Sequence, residues 1–298
     1  MSFRGLRLYF VEMSQHARYV QLAAHQARVE RLRGSCELDD GYSDHEILAF
    51  LRAVLTEQPK ASWDDLEAAA AKRLSAAKRW RDETGLDAAV MSEHWREAEL
   101  EYRRLLHYEF LGLDVAGRPV MVEHCGAWDL DRILEAAEGD AHRFATLHCM
   151  ACEVMRRMPR PADSLDPFGK VVLLDFSGIC TSQVVRHSRR LARAFLKLAK
   201  LDNEYYPDSL AKIYLVHVPA VVSALATLIQ PFLPEATLGK VHVSRGVPAE
   251  LVKTVSTHVL PVSLGGSRTA VFPYEDNANM SDVSFLDAPS FDRSDCSR

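Results

Sequence analysis

The chain has 298 residues, 48% hydrophobic and 26% charged, enough to build one large core or two modest ones without covalent staples. A formal net charge of −5 excludes a protein that binds nucleic acid through a bulk basic field. Six cysteines, Cys36, Cys125, Cys149, Cys152, Cys180 and Cys296, lack the spacing of a disulfide framework and suit a reducing compartment.

From the start, MSFRGLRLYF places Arg4 and Arg7 inside any would-be apolar region and offers no cleavage pattern, so no signal peptide is expected. Ser2 likewise excludes N-myristoylation, and a cytoplasmic protein is expected. Residues 14–33 read as a helix with Ser14 as N-cap and Gly34 as the stop, and Arg28, Arg31 and Arg33 complement its C-terminal dipole. Ser43 and Glu46 form an S-x-x-E capping box ahead of ILAFLRAVL; Ser62 and Asp65 repeat the device ahead of LEAAAAKRLSAAKRW, which Gly85 closes. From about residue 110 the texture changes to short apolar strands alternating with helices: PVMVE (119–123), VVLLDF (171–176), AKIYLVHV (211–218) and KVHV (240–243). That alternation predicts an α/β fold, and the nearly continuous hydrophobic runs predict strands covered on both faces of a largely parallel sheet.

Residues 182–201 read as an amphipathic helix: Val184, Leu191, Phe195 and Leu198 share one face, and Arg186, Arg190, Arg193, Lys197 and Lys200 share the other. The basic face fits a solvated surface or contact with anionic lipid. Residues 213–234, IYLVHVPAVVSALATLIQPFLP, carry no formal charge. Their length would allow a membrane span, but Pro219, Pro231 and Pro234 divide the run into a strand and a helix of about three turns that is apolar on every side. The acidic stretch at 275–298 reads as disordered, with SFLDAPSFD as a possible docking segment.

Conventional catalysis finds no strong candidate. His148, Cys149 and Cys152 in HCMACE fall within about one helical turn, yet a zinc site takes four ligands and no second pair follows at suitable spacing, so a buried structural pair fits better. Six residues separate Cys149 from Arg156 where the cysteine-phosphatase loop has five, and the loop's glycines are missing. Ser267 in LPVSLGGSRTAV lacks a G-x-S-x-G frame and reads as part of a turn. Neither G-x-x-x-x-G-K nor G-x-G-x-x-G occurs.

The segment EYYPDSLAKIYLVHVPAVVSALATLIQPFLPEATLGKVHV, followed by LPVSLGG, resembles the core of the CRAL-TRIO lipid-binding domain, notably its phosphatidylinositol-transfer branch. The order is distinctive: a YPD/E motif, a strand, an N/H-x-P break, an apolar helix ending in PFL, and a lysine-led strand. Upstream, DVAGRPVMVE, VVLLDFSGI, ILAFLRAV and KRWRDETG match further family motifs, so the resemblance covers roughly residues 38–268. It implies a helical lobe at 36–105 and a lipid-binding domain at 106–274 with a mixed, mostly parallel sheet around an apolar pocket; the helical extension at 1–35 and the acidic tail at 275–298 flank them.

The resemblance also implies a role for the apolar helix. In the family it gates the pocket, so Val221, Val222, Leu225, Leu228, Ile229 and Phe232 would meet acyl chains when closed and a bilayer when open. Family members that bind phosphatidylinositol contact its headgroup through residues matching Arg81, Asp208, Thr237 and Lys240. Asp replaces the family's Glu at 208, which shortens its reach toward an inositol. Members that bind phosphatidylcholine place hydroxyls on the strand that here reads Lys170, Val171, Val172, Leu173 and Leu174. The expected protein is a non-enzymatic carrier of one phospholipid, without cofactor or metal, in transient contact with membranes. Alternatives are a carrier of a sterol, tocopherol or retinoid, and a lipid-sensing regulatory or scaffold module that meets a protein partner through its tail.

Overall fold

The structure is a computed structural model that describes residues 24–39, 41–86, 93–158, 160–161, 168–233 and 235–269. Expectations for residues 14–23 and for the tail at 275–298 lie outside them.

The N-terminal lobe is helical. Helix α1 covers 24–35, one residue past the expected stop at Gly34. Helix α2, Asp44–Glu57, starts where the Ser43 hydroxyl accepts the Glu46 N–H at 3.2 Å. Only this half of the expected capping box forms, because the Glu46 carboxylate is buried against Arg81 and Arg156, where charge-assisted bonds outweigh a solvated cap. Helix α3, Trp63–Thr84, starts in the same way: Ser62 Oγ accepts from the Asp65 N–H at 3.2 Å, and its hydroxyl donates to the Asp65 carboxylate at 2.6 Å. Gly85 closes it at φ +61°, a left-handed position that glycine takes without a Cβ penalty. Val29, Leu32, Phe50, Leu51, Leu66 and Leu74 form the core of this lobe.

Helix α4, Glu93–Leu106, leads into a five-stranded sheet with order β1-β2-β3-β4-β5. The strands are Tyr108–Leu113, Pro119–His124, Lys170–Asp175, Leu210–Val216 and Val241–Val243. β1 pairs with β2 antiparallel; β2, β3, β4 and β5 are mutually parallel in sequence order. The mixed, mostly parallel sheet expected from the sequence is therefore present. β1 was not singled out there, since Glu109 and Gly112 interrupt its apolar character, and the register shifts between Phe110 and Gly112.

Helices α5 (Leu130–Gly139) and α6 (Ala141–Arg157) connect β2 to β3, and α7 (Thr181–Tyr205) connects β3 to β4. Helix α8 (Ala220–Ile229), a 3-10 turn at Gln230–Phe232 and the short α9 (Glu235–Leu238) connect β4 to β5. Pro219 stands at the N-cap of α8, which explains the predicted break between strand and helix. Helix α10, Ala249–Val255, follows β5. Every β3 residue is buried, as its continuous apolar run predicted.

Alternation along the strands divides the sheet into two unlike faces. On one, Val120, Val122, Val171, Leu173, Tyr214 and Val216 pack directly against Leu251 and Val255 of α10 and against Leu260 and Leu264. The LPVSLGG turn closes this side: Gly265 has φ +81°, and a Cβ on Gly266 would come within 1.9 Å of the Leu260 carbonyl oxygen. Ser267 donates to the Thr257 carbonyl at 3.3 Å, in line with its reading as a turn residue. On the other face, Met121, Val172 and Leu174 look toward α5, α6, α7 and α8. These helices do not close onto the strands.

The lobe is joined to α6 and α7. Trp80 stacks on Tyr205 with ring centroids 4.1 Å apart at 7°. Beside them, Arg81 meets Glu46 at 2.9 Å and Glu153 at 3.0 Å, while Arg156 meets the same carboxylates at 3.0 and 2.7 Å. The Tyr206 hydroxyl also donates to Glu153 at 2.8 Å. Two cations thus alternate with two anions. Burial disfavours charge on Arg81, but Glu46 and Glu153 outweigh it and hold its pKa well above the ordinary value. Burial would likewise raise the Glu153 pKa, yet Arg81 and Arg156 hold it below the usual carboxylate range.

Candidate ligand cavity and its polar mouth

The space between the second sheet face and helices α5 to α8 is a cavity of about 1120 Å³. Met121, Val172, Leu174, Ile213, Leu215 and Val241 form its floor; Phe144, Leu191, Leu198 and Leu225 are among the helix residues that line it. This exceeds the roughly 300–1,000 Å³ of ordinary small-molecule sites. Its lining suits hydrocarbon more than a hydrated solute.

Asp208, Thr237 and Lys240 also line it. Lys240 Nζ donates to Asp208 Oδ1 at 2.7 Å, and Arg52 of α2 approaches Asp208 Oδ2 at 3.2 Å. The Lys240 N–H donates to the Thr237 carbonyl at 3.0 Å, and Ile213 N–H donates to the Lys240 carbonyl at 2.9 Å, so one turn and one strand pairing set both residues beside β4. Asp208 has φ +57°, a conformation in which Asp is more at home than most residues. The Lys240 and Asp208 side chains keep 19% and 15% of their surface exposed, enough for a ligand to reach them.

Arg81 is not among the residues against the cavity. Its guanidinium is fully buried in the ion-pair cluster with Glu46, Glu153 and Arg156. The structure therefore brings together three of the four expected headgroup residues and uses the fourth to join the lobe to α6 and α7. Arg52, which the sequence reading passed over, reaches Asp208 instead; a lone arginine inside ILAFLRAVL was its only signal.

Helix α8 covers one side of the cavity. Val222 and Ile229 are buried and Leu225 half-buried, all three facing inward; Val221 packs on the adjoining core. Leu228 and Phe232 are 69% and 70% exposed on the outside. The helix is thus apolar toward both the interior and the surroundings. Among the described residues, no helix is long and apolar enough to cross a membrane.

A second polar group sits inside the cavity, formed by Tyr102, Glu123, His148, Cys152, Lys170 and Asp202. His148 Nε2 lies 2.9 Å from Asp202 Oδ1, and its Nδ1 lies 3.3 Å from the Tyr102 hydroxyl. Lys170 Nζ donates to Cys152 Sγ at 3.1 Å. Burial disfavours charge on His148, but Asp202 more than compensates and raises its pKa well above the ordinary value. Glu123 faces the cavity with no side-chain hydrogen bond to the other described residues, and burial away from bulk water pushes its pKa up to about 7. Sequence reasoning noticed His148 and Cys152 but not their meeting with Asp202. Charged residues at the ends of PVMVE and at the start of KVVLLD were the available signal for Glu123 and Lys170.

The sequence profile of the CRAL/TRIO domain matches residues 106–266, more than half of the chain. The chain belongs to the CRAL/TRIO family. The phosphatidylinositol/phosphatidylcholine transfer protein SFH7 of Arabidopsis thaliana is 27% identical over 252 residues, covering 80% of this chain and 43% of that protein. The SEC14 cytosolic factor of Eremothecium gossypii is 27% identical over 271 residues, covering 87% of this chain and 81% of the fungal protein. The chain thus spans less than half of SFH7 but most of the fungal relative. The crystal structure of Sfh5 superposes with a TM-score of 0.48 and 16% identity over 65% of this chain and 67% of that one. Within the CRAL/TRIO span lie Asp208, Thr237, Lys240 and the whole of α8, whereas Arg52, Arg81 and Tyr102 precede it.

Proposed function

We propose that this CRAL/TRIO protein encloses one phospholipid, phosphatidylinositol, and exchanges it with membranes by moving α8. The carrying observation is the apolar cavity of about 1120 Å³ with the Lys240–Asp208 pair at its edge. Two acyl chains hold about thirty methylenes at about 0.8 kcal/mol each, so withdrawing them from a bilayer into water would cost of order 25 kcal/mol. An apolar enclosure offsets that cost. Lys240 and Thr237 meet the phosphodiester, whose single negative charge needs a cation and a donor once it leaves water. Asp208 then turns toward inositol hydroxyls, held in place by Arg52. Arg81 acts at one remove, fixing the lobe that carries Arg52.

The names of the relatives support phospholipid exchange and include both phosphatidylinositol and phosphatidylcholine. For this chain the cavity face of β3 offers Lys170, Val172 and Leu174 with no hydroxyl, which favours phosphatidylinositol. Leu228 and Phe232 supply the bilayer contact. An open α8 exchanges one apolar environment for another, and the differential affinity of the lipid surface for that state drives the opening. The activity is exchange without turnover, carried out by a cytosolic protein peripheral to membranes, with residues 36–105 as supporting lobe and 106–274 as carrier domain.

Vesicle-to-vesicle transfer of labelled phosphatidylinositol tests the reading. Lys240→Ala should abolish transfer while circular dichroism and the unfolding midpoint stay close to wild type. Normal transfer by this variant would overturn the headgroup assignment.

A further inference from the structure

We propose that His148, Cys152 and Asp202 form a zinc site in the wall of the cavity. HCMACE alone supplied only two ligands at useful spacing, His148 and Cys152, four residues apart and therefore on one side of α6. The fold adds a third from α7: Asp202, 50 residues farther along the chain. His148 Nε2 to Asp202 Oδ1 is 2.9 Å, Cys152 Sγ to His148 Nε2 is 3.8 Å, and Cys152 Sγ to Asp202 Oδ1 is 3.6 Å.

Those separations are the edges of a coordination polyhedron. Tetrahedral zinc with bonds of about 2.0–2.1 Å to nitrogen and oxygen and about 2.3 Å to sulfur spaces its ligand atoms about 3.3–3.6 Å apart. An ion enters between them by shifts of a few tenths of an ångström, taking the place of the proton between His148 and Asp202 and of the Cys152 thiol proton, both of which pass to solvent. Imidazole, thiolate and carboxylate are a donor set that suits zinc over magnesium or calcium. A thiolate and a carboxylate carry two negative charges, which offset the two of the ion, and Glu123 on the same cavity wall stands against the positive charge that Lys170 adds beside the sulfur.

The surroundings are those of a supported metal site. The Tyr102 hydroxyl lies 3.3 Å from His148 Nδ1, which holds the ring so that Nε2 faces the other two ligands. Lys170 Nζ lies 3.1 Å from Cys152 Sγ, placed to donate to the sulfur once it is a thiolate. All three ligands line the cavity, as does Glu123. The fourth position of the ion therefore faces the cavity, where water or an oxygen of a bound molecule completes the set, as in zinc sites that keep one position open. This assignment does not rest on lipid transfer.

Metal retention by the full chain is the test. The reduced protein, incubated with excess zinc chloride and desalted, should keep about one zinc per chain by elemental analysis. Cobalt(II) in its place should give tetrahedral visible bands and a near-ultraviolet thiolate-to-metal band. Cys152→Ser should lose the thiolate band and Asp202→Asn the stoichiometric zinc, while Cys149→Ser keeps both. Tyr102→Phe should keep the bands and weaken affinity by about 10–100-fold, as loss of an outer hydrogen bond does. Wild-type protein that retains no more zinc than Cys152→Ser, or a cobalt spectrum without a thiolate band, would overturn the site. The wild-type spectrum decides even where a variant fails to fold.

Discussion

Leu173 and Leu174 are neighbours in β3, have the same side chain, and sit in opposite kinds of interior. Leu173 is fully buried among Val122, Tyr214, Leu251 and Leu264, in a layer where α10 and the last turn close directly onto the sheet. Leu174 borders the cavity. A strand period of two lets one sheet carry a filled face and a hollow one. The polar groups differ too: Lys212, whose strand neighbour Tyr214 packs on the filled side, donates to Glu250 and Thr254, whereas Glu123 turns toward the hollow without a side-chain partner among the described residues.

Core deletion should separate the two faces most sharply. Leu173→Ala should destabilise the protein by about 2–5 kcal/mol, as large-to-small changes in filled cores do; Leu215→Ala, beside the cavity, should cost about 1 kcal/mol by the same urea titration. Equal losses would mean that the hollow face packs as tightly as the other.

The next largest effect is electrostatic. Burial raises the folded pKa of Glu123 to about 7 from an ordinary 4.5. Between those values the folded state holds a proton that the unfolded chain has released, so stability falls as pH rises through the window. That loss amounts to about 3 kcal/mol when complete. Glu123→Gln should remove this part of the slope, seen as the difference between the variant's and wild type's unfolding free energies from pH 4 to pH 8.

Overpacking should discriminate less strongly. Val171→Phe on the filled face should cost about 1–3 kcal/mol, whereas Val172→Phe, one residue on, should leave stability within about 1 kcal/mol and reduce the lipid that co-purifies, measured by mass spectrometry of extracts. Smallest in stability is Phe232→Ser on the exposed side of the 3-10 turn after α8, within about 0.5 kcal/mol of wild type. Its transfer rate between vesicles should nonetheless fall several-fold; an unchanged rate would remove Phe232 from the membrane contact.

The parallel sheet was legible because its strands are short, continuous apolar runs bounded by turns, and α8 because three prolines frame it. Asp208, Thr237 and Lys240 stand in spaced motifs, and the fold brings those three positions to one cavity. Arg81 shows the limit: a motif position says which residue stands there, not which carboxylates surround it, and Glu46 and Glu153 come from helices far apart in sequence. Asp202 was invisible for the same reason, since it joins His148 and Cys152 only when α7 packs beside α6. β1 escaped because an edge strand paired on one side does not need an unbroken apolar run.

The buried cluster of Arg81, Glu46, Arg156 and Glu153 bears on how far the CRAL/TRIO domain is severable. A fragment cut to the 106–266 span would keep Glu153 and Arg156 but forfeit Arg81 and Glu46, and it would strip Trp80 from the face of Tyr205. What remains would have a newly wetted wound on α6 and α7, the two helices that roof the chamber. The evolutionary module is thus shorter than the physical one, and the helices ahead of it are part of the vessel wall.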